Sequence, residues 1–152
     1  RSGGGENETG RVQPVQRRKG RCACNARAAN ILQKLGIGGD TASRDICEIV
    51  AYIAENRADM NVNELCKQFS PSRKAMEQRI RRAITTGMVN LAHMGLEDYH
   101  NDTFEQYAGT LYRFEQIHKE MDFIRGKTDI HGKISVRAFL YTMADFCTHW
   151  ES

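Results

Sequence analysis

From Asn25 to the end of the chain the apolar residues recur at spacings of three and four, and no convincing stretch alternates apolar with polar. A period near 3.6 gathers such residues into one stripe of a helix, whereas a half-buried strand needs a period of two. The expected fold class is therefore all-α, a compact bundle of about six helices. The chain has 152 residues, 40% hydrophobic and 27% charged, enough for one buried core. Thirteen Gly and two Pro exclude a collagen-like chain. The uncharged stretches fall far short of the ~20 apolar residues of a membrane span, so no membrane association is expected.

The periodicity can be followed helix by helix. Asn25 is placed to cap a first helix carrying Ala28, Ile31, Leu32 and Leu35, with Gly36 ending it. Ile46, Ile49, Val50 and Ile53 stripe a second helix from about Ser43 to Asn56. Asn61 with Glu64 three residues on resembles a capping box and opens a short third helix, Leu65 and Phe69 inward. Ser70-Pro71-Ser72 breaks it, with Ser70 or Ser72 as the next cap and Pro71 in a first turn. A fourth helix runs from about Arg73 to Ala92. Asp102, as cap, restarts the chain, and one apolar series continues from Phe104 through Tyr107, Leu111 and Tyr112 to Ile124. Ser135 caps the last helix.

The net charge of +3 conceals a pattern. Residues 1–30 hold seven Lys/Arg against two acids, and residues 68–92 hold five against one. Residues 31–67 and 93–152 are acidic on balance. A basic stretch inside an otherwise acidic domain is the footprint of a polyanion site. A solvated basic face is the plainer reading of the same charges. Residues 1–25 lack apolar periodicity and read as a flexible lead-in, either an interdomain linker or a cloning remnant, with residues 26–152 as the folded domain. No apolar run of secretory type occurs there, so a cytoplasmic location is expected.

The chemistry concentrates between Asn61 and Ile84, where a short helix, a tight break and a longer basic helix follow one another. That is the layout of a helix-turn-helix, whose second helix enters the major groove. Met76, Ile80, Ala83 and Ile84 share the side that would pack inward. Arg73, Lys74, Glu77, Gln78, Arg81 and Arg82 fall largely opposite. Arg pairs with guanine, Gln with adenine, and Glu accepts from cytosine. Arg73 and Lys74, near the helix start, suit phosphates. With Ser72 at the turn, the candidate DNA-contacting residues are Ser72, Arg73, Lys74, Glu77, Gln78, Arg81 and Arg82.

The segment Phe69-Ser-Pro-Ser-Arg-Lys-Ala-Met-Glu-Gln-Arg-Ile-Arg-Arg-Ala-Ile84 resembles the recognition region of the effector domain in the sporulation master response regulator of endospore-forming bacteria. Ile31-Leu-Gln-Lys-Leu-Gly-Ile37 is similar to that domain's opening helix and turn. Closer still is the resemblance to the YcbB-type DNA-binding domain of response regulators. It is carried by Glu77-Gln-Arg-Ile-Arg-Arg-Ala-Ile84, Leu91-Ala-His-Met-Gly-Leu-Glu-Asp-Tyr99 and Phe104-Glu-Gln-Tyr107. The resemblance implies a helical effector domain of a two-component system that binds double-stranded DNA. Independently of it, paired half-sites need dimer contacts, so a homodimer on DNA is the partner expectation. The resemblance implies a phosphorylatable receiver domain upstream in full-length relatives, absent from these residues. It also implies that Glu77 and Arg81 face DNA. Gln78 and Arg82 depart from the sporulation regulator, which has Arg and His there, so no operator is carried over.

The remaining residues add little chemistry. Cys22-Ala-Cys24 lacks a second ligand pair, and Cys47, Cys66 and Cys147 stand singly, so reduced thiols rather than zinc are expected. His93, His100, His118, His131 and His149 are scattered, and Gly36-Ile-Gly-Gly39 lacks a nucleotide-loop context. No cofactor and no catalytic constellation are expected, and the chain is read as a non-enzyme. The aromatic group Phe104, Tyr107, Tyr112 and Phe114 is read as core, with a protomer contact as the second reading. The run Arg17–Arg21 is read as linker, with a DNA-contacting arm second. Two other functions fit the basic helix: an RNA-binding antiterminator output domain, or a helical protein-interaction module.

Overall fold

A computed structural model describes the backbone of residues 15–150 and the side chains of residues 24–148. The described residues form seven helices and no strand. They are α1 (Val15–Lys34), α2 (Thr41–Asn56), α3 (Val62–Lys67), α4 (Arg73–Glu97), α5 (Asp102–Tyr107), α6 (Phe114–Ile124) and α7 (Val136–Trp150). The expected all-α bundle is what forms. No helix among the described residues is long and apolar enough to cross a membrane.

Three boundaries differ from the sequence reading: α4 runs on to Glu97 rather than Ala92, and two others differ for identifiable reasons. The helix expected to begin at Asn25 begins at Val15, so residues 15–25 of the supposed flexible lead-in are helical. That stretch has good helix formers in Gln, Arg, Lys and Ala but no apolar stripe, and periodicity therefore gave no signal. The expectation for residues 1–14 falls outside the described residues, as do the side chains of Arg17–Arg21 and Cys22. The apolar series from Phe104 to Ile124 is two helices. Ala108, Leu111 and Tyr112 in the connecting turn are buried, so a buried turn reproduces helical spacing.

The caps follow the sequence reading at Asn61 and Ser135 and depart from it at α5. Asp40 caps α2, its carboxylate accepting from Ser43 N at 2.9 Å. Asn101, not Asp102, caps α5 by accepting from Phe104 N at 3.0 Å. Asn61 caps α3 as expected, accepting from Glu64 N at 2.8 Å. Each cap satisfies an orphan amide of a first turn.

The bundle closes around α4, whose 25 residues extend about 37 Å at 1.5 Å per residue. Ile84, Gly87, Met88, Leu91, Ala92 and Gly95 are buried along it. The Tyr112 hydroxyl donates to the Ile84 carbonyl at 2.7 Å, and burial pushes that hydroxyl far above the usual tyrosine range. Gly87 makes room for it: a Cβ there would lie 2.5 Å from the Tyr112 oxygen. Gly95 lies close against the Phe104 ring, where a Cβ would come within 2.7 Å of three ring carbons. Asn90 Nδ2 donates to the Leu35 carbonyl at 2.8 Å, tying α1's end to α4. After α6 the chain is held by Glu120, a buried carboxylate that accepts from Gly132 N at 3.0 Å and pairs with His131 Nδ1 at 3.1 Å.

Three thiols converge where α1, α2 and α7 meet. Cys147 Sγ donates to the Cys24 carbonyl at 3.4 Å and Cys47 Sγ to the Asn25 carbonyl at 3.9 Å. Burial pushes Cys47, and separately Cys66 beneath α4, up to about 11.

Two predictions follow from this packing. Gly95→Ala drives a methyl group into the Phe104 ring and is expected to cost about 1–3 kcal/mol in urea unfolding, the range for overpacking. For the thiols, the unfolded chain releases protons near 9.0 and the folded chain only near 11. The native state binds more protons between those values, so stability is full below pH 9 and falls as pH rises toward 11. Unfolding curves across that window are expected to show the decline, and Cys47→Ala to lessen it while Cys66 keeps its share.

Candidate nucleic-acid interface

α3, a turn and the first half of α4 are set against the bundle by side chains on α2. Leu65 and Cys66 are the buried residues of α3. Phe69, half-buried at the turn, meets the Tyr52 ring edge-on with centroids 5.6 Å apart. Ser70 Oγ accepts from Ser72 N at 3.0 Å and so orders the turn rather than capping α4. Ser72 occupies the N-cap position without a side-chain cap bond, and Pro71 precedes it, outside the helix.

The first half of α4 has two sides. Met76, Ile80 and Ile84 are buried, at 2%, 0% and 0% exposure. Lys74, Gln78 and Arg81 stand exposed at i, i+4 and i+7, one row along the helix, with Arg82 exposed beside them. Ser72 is exposed just before this row. The structure thus brings five of the seven candidate residues to one solvent-facing strip.

The other two are less open. Arg73 is half-buried, and its Nε is shielded from solvent without a hydrogen-bond partner. Glu77 is half-buried and forms an ion pair with Arg81 at 3.7 Å, one turn on. The acid holds the guanidinium over the row, and an i, i+4 pair of this kind is worth about 0.3–0.5 kcal/mol.

Arg79, the fifth base of the helix, is a residue that the sequence reading left out of the site. Its Nε and Nη2 donate to Asp45 Oδ2 at 3.1 and 2.9 Å. That pair fastens α2 to α4 and fixes how far α4 stands out from the bundle. No local motif signals it, because its partners lie 34 residues apart. Beside it, Arg82 and Thr86 border a cleft with Asp40, Thr41 and Ala42 at the start of α2.

An all-helical bundle with one exposed basic helix row is the class these features define. The YcbB domain model matches residues 27–143, and the chain belongs to that family. Among the curated relatives is "Transcriptional regulatory protein GlnL" of Bacillus subtilis (strain 168), 25% identical, the match covering 64% of this chain and 38% of that protein. The chain therefore spans well under half the length of that relative. No solved structure matches it.

Asp45→Ala is expected to release Arg79 and lower stability by about 1.5–3 kcal/mol, the range for a hydrogen bond to a charged group. Urea unfolding of this variant, with Arg79→Ala and the double variant beside it, measures the coupling; the two single losses are expected not to add.

Proposed function

We propose that this chain is the DNA-binding effector part of a transcription regulator and that the Arg73–Thr85 half of α4 enters the major groove of double-stranded DNA. The observation that carries this reading is the exposed row Lys74, Gln78, Arg81 and Arg82 set opposite the buried row Met76, Ile80 and Ile84. Arg and Gln are the side chains that pair bidentately with guanine and adenine, and Lys neutralises phosphate. That its relative in Bacillus subtilis is a transcriptional regulatory protein supports the same reading. The regulator is of the two-component kind in this proposal, with a receiver domain elsewhere in the full-length protein.

Roles divide along the row. Arg81, held by Glu77, and Gln78 read base edges. Lys74 and Arg82 hold backbone phosphates, joined by Ser72 at the turn. Glu77 accepts from a cytosine amino group once Arg81 turns to its guanine.

Sequences selected from a random duplex pool supply the specific site. On it, Arg81→Ala is expected to weaken binding about 5- to 150-fold, the equivalent of ~1–3 kcal/mol, with little loss on unrelated duplex. Lys74→Ala is expected to weaken all duplexes alike and lower the salt slope by about one. Equal binding by Arg81→Ala and the parent chain overturns the assigned reading face. Preference for structured RNA at fixed salt, or no nucleic-acid affinity at low salt, overturns the DNA reading.

A further inference from the structure

Among the described residues, the large apolar side chains left exposed are Tyr99, Phe114 and Ile130, at 46%, 45% and 62%. Tyr99 and Phe114 are neighbours, with ring centroids 6.5 Å apart. His118 completes a strip with them: its ring lies 4.5 Å from that of Phe114, and its Nε2 is 3.0 Å from the Tyr99 hydroxyl. The strip lies at the corner where α4 ends and α6 begins, away from the Lys74–Arg82 row in the chain.

The two flanks of the strip carry opposite charge. Next to Tyr99 in the chain are Glu97, Asp98, Asp102 and Glu105; Glu105 pairs with His100 Nδ1 at 3.2 Å, and from Ala83 to Tyr112 the chain has no Lys or Arg. On the other flank, and lined by none of these acids, is a groove of about 1160 Å³ between residues 109–116 and residues 133–138. Arg113, Lys119 and Lys133 line that groove. Glu115 and Asp122 line it too, but Asp122 is engaged by Arg125 at 3.2 Å. Phe114 and His118 belong to both strip and groove, so the surface is continuous.

An apolar strip with an acidic flank and a basic flank is complementary to itself after a half-turn about an axis through the strip. Each acidic flank then meets the basic flank of the other copy, as an isologous contact requires. Aromatic residues at the centre with charges at the edge are the usual anatomy of a protein interface. We propose that this face is where two copies of the chain meet, paired by a two-fold axis through the Tyr99–Phe114 strip. The proposal rests on this surface and not on the reading of DNA by α4.

Sedimentation equilibrium of the 152-residue chain, without DNA, tests it at concentrations up to about 1 mM, which reaches even a weak contact. The parent chain is expected to dimerise, and added salt to weaken the dimer. Phe114→Glu is expected to leave monomers at the same concentrations. Phe114→Ala, a milder change, is expected to raise the dissociation constant at least tenfold, with the helical circular dichroism of both variants unchanged.

The decisive arm uses charge reversal. One variant carries Arg113→Glu with Lys133→Glu, and another carries Asp98→Lys with Asp102→Lys. Each alone is expected to be monomeric, because like flanks face each other. Mixed in equal amounts they are expected to form a one-to-one heterodimer, since every flank again meets its opposite. A parent chain that stays monomeric throughout overturns the proposal and marks the face for a different protein. A dimer indifferent to Phe114→Glu, or a mixture of the reversed variants that stays monomeric, overturns it as well. Because no DNA is present, each of these failures leaves the proposed role of α4 standing or falling on its own tests.

Discussion

The hydrogen bond from the Tyr112 hydroxyl to the Ile84 carbonyl, admitted by the bare backbone of Gly87, is the point on which the bundle turns. Along its length α4 packs against α2, α3, α5, α6 and α7. A buried phenol must find an acceptor, and a mid-helix carbonyl is one of few available so deep in an apolar core. The α5–α6 turn is therefore set at one height along α4. Gly95 beneath Phe104 sets the next height, one residue more than two turns further on.

From that anchorage the electrostatics follow. Five bases lie on the first half of α4, yet they do not act alike. Arg79 is spent on Asp45 and holds two helices together. Arg81 is shared with Glu77 at a distance that leaves it able to move. Lys74 and Arg82 face solvent. The same residue type thus serves architecture in one place and an outward field in another. What separates the two roles is the partner that the fold supplies.

Much of this was legible in the sequence, and the exceptions share a cause. The buried row of α4 is written in its own period, so Met76, Ile80 and Ile84 and the opposing basic row could be assigned without a partner helix. The start of α1 at Val15 was not legible, because its first turns carry no apolar stripe. The break between α5 and α6 was hidden because Ala108, Leu111 and Tyr112 keep helical spacing in a buried turn. The cap of α5 moved from Asp102 to Asn101, because neighbouring Asn and Asp are each able to cap. The Arg79–Asp45 and Tyr112–Ile84 links were invisible because they join positions 34 and 28 residues apart. Local pattern dictates which face of a helix is wet. It does not dictate what stands across from the dry one.

The continuity of α4 carries one more consequence. The exposed row and the core row occupy a single unbroken helix, so their angular relation is a phase set by residue count alone. One residue inserted between Ile84 and Gly87 would rotate the first half by about 100° against the second without changing any residue of either row. Either Arg79 would lose Asp45 or Ile84 would leave the Tyr112 hydroxyl. Length in this part of the helix is therefore constrained more tightly than composition. Relatives of the same fold are free to vary the exposed letters of the row, but not the number of residues that separate it from the core.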